Sequence, residues 1–135
     1  MSVRAKVLVA EDDNSVRDLI RTHLTLTGYE VGVARNGAEA LNRAASFQPD
    51  AMVVDINMPE LDGFGLLEAL RANGRLVPTL VLTARHASED VRRAISLGAK
   101  DYLTKPFSEG QLLARVARLL RAPAPVAASA ILLGP

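Results

Sequence analysis

Four places in this 135-residue sequence set reactive groups directly after short runs, three of them apolar. Glu11, Asp12 and Asp13 follow VLVA, Asp55 follows MVV, Thr83 follows LVL, and Lys105-Pro106 follows DYLT. Carboxylates that are crowded together repel one another, so they must take up protons or a cation. Oxygen ligands without sulfur or imidazole select a hard ion such as Mg2+. A lysine and a hydroxyl beside such a cluster are poorly explained by metal alone, because an ammonium competes with the cation unless an anion lies between them. A phosphoryl group is an anion of that kind. Asp55 would then be a nucleophile or acceptor, with the metal and Lys105 neutralising the equatorial oxygens and Thr83 donating a hydrogen bond. Each residue alone has a plainer role: Asp55 as an N-cap or turn former, Thr83 as a strand end, Lys105 as a loop lysine. The chemistry depends on the elements that would bring them together.

Five short runs read as strands, Lys6–Ala10, Glu30–Ala34, Ala51–Asp55, Thr79–Thr83 and Asp101–Leu103. Three are continuously apolar, as strands buried on both faces of a parallel sheet are, whereas EVGVA alternates like a half-covered edge. Between them lie segments of helical spacing, carried by Val16, Leu19, Ile20 and Leu24; Leu41 and Ala44; Leu66, Leu67 and Leu70; Val91, Ala94 and Ile95; and Leu112, Leu113, Val116, Leu119 and Leu120. Gly28 and Gly98 stand where left-handed residues close helices, and Ser108 precedes Gln111 by the spacing of a capping box. Regular βα alternation predicts a doubly wound α/β fold, with a parallel sheet and helices on both faces. Ligands bind such folds at the carboxyl ends of the strands, where all four reactive groups fall.

Composition agrees with one globular domain over residues 1–121. Apolar residues make up 49% and charged ones 23%, and net charge is +1, with no basic stripe to advertise direct nucleic-acid binding. Cysteine is absent, which excludes disulfides and thiolate metal sites, and two histidines cannot build a His-rich one. His23 falls on a mostly apolar helical face as a packed or half-exposed residue, and Arg92-Arg93 reads as a solvated helix face. The opening MSVRAKVLVAEDD is too short in apolar residues for a signal or a membrane span, so a cytoplasmic protein is expected. Residues 122–135, rich in Ala and Pro, read as a flexible tail.

VLVAEDD, VVDINMPELDG, PTLVLTA and LGAKDYLTKPF, taken together and in this order, resemble the receiver domain of two-component response regulators, over residues 5 to about 121. The resemblance implies a flavodoxin-like sheet of strand order 2-1-3-4-5. It implies that Asp55 accepts a phosphoryl group from a sensor histidine kinase or histidine phosphotransfer protein. Asp12 would bind Mg2+ directly, Glu11 through water, and Asn57 through its backbone carbonyl, whereas Asp13 matches no family ligand and suits a helix start. Thr83 and Lys105 match the switch hydroxyl and the phosphoryl-binding lysine, Tyr102 matches the aromatic that turns inward, and the Lys105–Pro106 bond is expected to be cis. The output surface would be the fourth helix, fifth strand and fifth helix, controlling a protein partner, and the first helix would dock the kinase.

Particular residues separate the alternatives. A phosphohydrolase of the haloacid dehalogenase type needs an acid two residues beyond its aspartate, where this chain has Asn57. A pseudo-receiver would lack one of Asp12, Asp55, Thr83 and Lys105. A fragment of a DNA-binding regulator would dimerise through charge pairs on the last two helices and the fifth strand; Asp101 and Arg115 fit that pattern, but Lys100, Gln111, Val91 and Ala117 do not. A stand-alone receiver, monomeric or weakly dimeric, is the expectation. Arg85, two beyond Thr83, is expected to hinder the water that would remove the phosphoryl group.

Overall fold

The computed structural model describes residues 4–84 and 88–121; the expectations for Arg85 and for the tail 122–135 lie outside these residues. Strands β1 (Lys6–Ala10), β2 (Glu30–Ala34), β3 (Ala51–Asp55), β4 (Thr79–Thr83) and β5 (Asp101–Thr104) alternate with helices α1 (Asn14–Thr27), α2 (Gly37–Phe47), α3 (Gly63–Ala72), α4 (Ser88–Ser96) and α5 (Glu109–Leu120). All strand pairs are parallel, in the order β2-β1-β3-β4-β5, as expected. β5 runs one residue further than the sequence indicates, because Thr104 still pairs with Thr83.

Strand alternation divides the core between the two faces of the sheet. Val7, Val9, Val53, Leu80 and Leu82 pack against Ile20 and Leu24 of α1 and Leu112, Val116 and Leu119 of α5. Leu8, Met52 and Val54 meet Ala40 and Ala44 of α2 and Leu66 and Leu70 of α3. On that second face Ile56 and Val81 join Phe64 and Leu67 of α3 and Ala94 of α4. β2 is the half-covered edge its alternation predicts, with Gly32 and Ala34 buried and Val31 and Val33 partly so.

Two apolar positions of the expected helical stripes fall outside the core. Leu19 is 51% exposed and Ile95 44% exposed, because the packed stripes run through Ile20 and Leu24 on α1 and Ala94 on α4, and their sequence neighbours project beside them. Helix starts are fixed by Asp13, Asn36, Asp62 and Ser108, each of whose side chains accepts a backbone N–H one turn on. The Ser108–Gln111 capping box is complete. Gly28 and Gly98 both take φ of 112°, the left-handed closure expected of them.

Candidate functional site

The carboxyl ends of β1, β3 and β4 and the loop after β5 open on the same side of the sheet. Glu11 leaves β1 with its N–H still bonded to the Ala34 carbonyl at 3.1 Å, and its side chain is wholly buried. One carboxylate oxygen accepts the Asp13 N–H at 3.1 Å; the other lies 2.9 Å from the Lys105 ammonium. That second oxygen is an ion-pair partner without an aligned hydrogen-bond donor among the described residues. Asp12 is exposed beside it. Asp13 caps α1 through a 3.0 Å bond from the Val16 N–H, the helix-start role the sequence assigned to it.

Asp55 is the last residue of β3, paired with Leu82 and 4% exposed. Its Oδ2 lies 3.4 Å from Lys105 Nζ, and its Oδ1 accepts the Asn57 N–H at 3.4 Å. The chain then doubles back, and Gly63 at the start of α3 donates its N–H to the Ile56 carbonyl at 2.8 Å. A Cβ on Gly63 would stand 2.7 Å from Ile56 Cα and 2.8 Å from the Asp55 carbonyl oxygen, so the turn closes this tightly only with glycine.

Thr83 ends β4 with 1% exposure, its hydroxyl donating to the Ala84 carbonyl at 3.3 Å, while its own carbonyl accepts the Lys105 N–H at 2.8 Å. That backbone bond ties the lysine loop to the strand carrying Thr83. The Lys105–Pro106 peptide is cis. Tyr102 is 41% exposed on β5, and its carbonyl accepts from Arg115, which also reaches Asp101 at 2.8 Å. His23 is partly buried and lies 3.3 Å from Glu109, joining α1 to α5, away from the acids.

One oxygen from each of Glu11, Asp12 and Asp55 lies within 4.8 Å of the others, so the strand-end acids meet in one cluster. Burial, followed by the charge of Glu11, pushes the Asp55 carboxyl up to about 7 against the opposing pull of Lys105. Burial draws Lys105 down, but its contacts with Glu11 and Asp55 outweigh this and leave it raised. With all three acids ionised, a single ammonium leaves two negative charges in excess. The donor set is oxygen only, one buried carboxylate oxygen has no aligned donor, and the charge is uncompensated: the residues fit a hard divalent cation.

Two contacts were not anticipated from sequence. The Arg17 guanidinium reaches back from α1 to the carbonyls of Glu11 and Asp12, a reach signalled only by an arginine one helical turn beyond the acids. Arg93, expected to be merely solvated, stacks over Phe64 at 4.1 Å and so joins α4 to α3.

Residues 7–117 match the sequence model of the response regulator receiver domain. The chain is 47% identical over 121 residues to the response regulator MprA of Mycobacterium bovis (strain BCG / Pasteur 1173P2), a match covering 90% of this chain and 52% of that protein. It thus spans about half the length of that relative. Among solved structures it is similar to the receiver domain of the Francisella response regulator 1452, with TM-score 0.82 and 38% identity over 87% of this chain and 98% of that one. It is similar also to the Vibrio cholerae chemotaxis protein CheY4, with TM-score 0.83 and 35% identity over 87% of this chain and all of that one.

Proposed function

We infer, since this chain belongs to the response regulator receiver family, that Asp55 is the phosphoryl acceptor of a two-component signalling domain. The observation that carries this is the convergence of Glu11, Asp12 and Lys105 on a buried strand-end aspartate. Receiver domains are signalling domains that act between histidine kinases and downstream effectors, and they generally bind Mg2+ in an acidic pocket. Here Glu11, Asp12, Asp55 and the Asn57 carbonyl would hold it. When bound, Mg2+ supplies positive charge against the acceptor carboxylate and the phosphoryl oxygens.

The chain's own residues do the rest. A carboxylate oxygen of Asp55 attacks the phosphorus of a phosphohistidine. The P–N bond breaks, its electron pair returns to the imidazole nitrogen, which takes up a proton, and an acyl phosphate remains on Asp55. Lys105, already 3.4 Å from the acceptor oxygen, offsets the added charge. The Thr83 hydroxyl turns from the Ala84 carbonyl to donate to a phosphoryl oxygen, and outward-facing Tyr102 moves into the space left behind. The change is read on α4, β5 and α5 by a protein partner. Water returns Asp55 to its free form, so the domain is a timed switch. Asn57, which is not an acid, cannot protonate a leaving group, and this favours the switch over a phosphohydrolase.

A second reading concerns what surrounds the domain. The match takes in 52% of MprA and all of the CheY4 chain, so a receiver, residues 1–121, within a longer regulator and one that acts by itself both have counterparts among the proteins it resembles. The phosphoacceptor chemistry is common to both. Incubating a labelled histidine kinase with wild type and with Asp55→Asn in the presence of Mg2+ tests it. Label should move to the wild type and not to the variant; equal labelling of both removes Asp55 from the role.

A further inference from the structure

We propose that Arg17 is a positioning residue for the acidic pair, gripping the carbonyls of Glu11 and Asp12 so that their carboxylates stay turned toward the cation site. Arg17 is the fourth residue of α1, yet it touches every residue of the turn from 11 to 14. Its Nη1 donates to the Glu11 carbonyl at 3.0 Å and lies 3.5 Å from the Asp12 carbonyl. Its Nη2 donates to Asn14 Oδ1 at 2.5 Å, and its main-chain N–H donates to the Asp13 carbonyl at 2.9 Å.

The turn needs such a clamp for two reasons. Three consecutive acids repel one another, and helix capping by Asp13 secures only the last of them. Glu11 is held by Lys105 and by the Asp13 N–H, but among the described residues no group bonds the Asp12 carboxylate. The direction of that carboxylate follows from its backbone, and the guanidinium sets the backbone. A planar fork presents its donors in fixed directions, whereas the three donors of an ammonium rotate at the end of a flexible stem. Arg17 thereby also engages both carbonyls from the helix side, leaving the carboxylates to face Lys105 and Asp55.

Charge alone predicts the reverse effect. A cation near an acidic cluster repels Mg2+, so deleting it should tighten metal binding; a clamp, once deleted, should weaken it. The inference rests on the metal role proposed for Glu11 and Asp12, and the test separates the two. Mg2+ is titrated calorimetrically into the full chain as wild type, Asp12→Asn, Arg17→Gln and Arg17→Lys, with thermal melts of each metal-free protein. We expect wild type to bind, Asp12→Asn to lose binding, and both Arg17 variants to bind about 10-fold more weakly, in the range found for groups that orient metal ligands. Arg17→Lys keeps the charge and lacks the fork, so its weakening identifies geometry as the cause; if Arg17→Gln melts too low to titrate, Arg17→Lys decides. Unchanged or tighter binding in Arg17→Lys overturns the clamp while leaving the metal role intact. A wild type that binds no Mg2+ overturns the metal role and the clamp with it.

Discussion

Asp55 carries a cost that its proposed work explains. A carboxyl 4% exposed beside buried Glu11 is pushed from its ordinary 3.8 to about 7, so without a cation the folded protein holds its proton until the pH nears that value. Because the folded value is raised, the stability it confers is complete below about 4 and is lost as pH climbs through about 7. Lys105 is also raised, but from 10.5, and its effect falls in the alkaline range, outside this window. Removing the charge should therefore help the metal-free protein only where Asp55 is ionised. In chelator, Asp55→Asn is expected to exceed wild type by about 1–3 kcal/mol near pH 8, and the difference should close toward about pH 4. Denaturant unfolding at both pH values checks this; a gap that does not change with pH would contradict the burial cost.

Each reactive group stands at the end of a strand, and the turn beyond that strand holds it in place. After β3 the holding contact is the return of Gly63 to Ile56, with main-chain atoms too close for any Cβ. Gly63→Ala is expected to cost about 1–3 kcal/mol, the usual range for overpacking, and to move the amide signals of residues 55–57 in the same sample. Unchanged stability and unchanged signals would show that the turn has slack. The strands themselves were legible in the sequence, since an apolar run marks burial on both faces and alternation marks a half-covered edge, and β1 to β4 take the bounds those patterns give. Helix caps were legible too, because Asp13 and Ser108 act on residues three positions away. The tight approach of Gly63, the reach of Arg17 and the stacking of Arg93 on Phe64 were not, for each depends on distances across space that no local spacing encodes. The exposure of Leu19 and Ile95 has the same origin: helical periodicity gives a face, and the neighbouring elements decide how wide a stripe of it is covered.

In the whole molecule, a parallel sheet gathers at one edge groups that lie 94 positions apart in the chain, Glu11 and Lys105, and joins them at 2.9 Å. The same layout carries a change at Asp55 outward: Thr83 sits one strand away, its carbonyl holds the Lys105 backbone, and β5 presents Tyr102 to the surface while its Asp101 pairs with Arg115 of α5. On the function proposed above, this edge accepts a phosphoryl group on Asp55 and passes the change to α4, β5 and α5. Treating the protein with a small phosphoramidate and Mg2+, then reading intact mass, the modified peptide and the amide spectrum together, probes both halves of that statement in one sample. We predict a gain of one phosphoryl group mapped to Asp55, absent in Asp55→Asn, with amide shifts extending through residues 101–121. A phosphoryl group on another residue, no gain at all, or modification of Asp55 with residues 101–121 unmoved would contradict it.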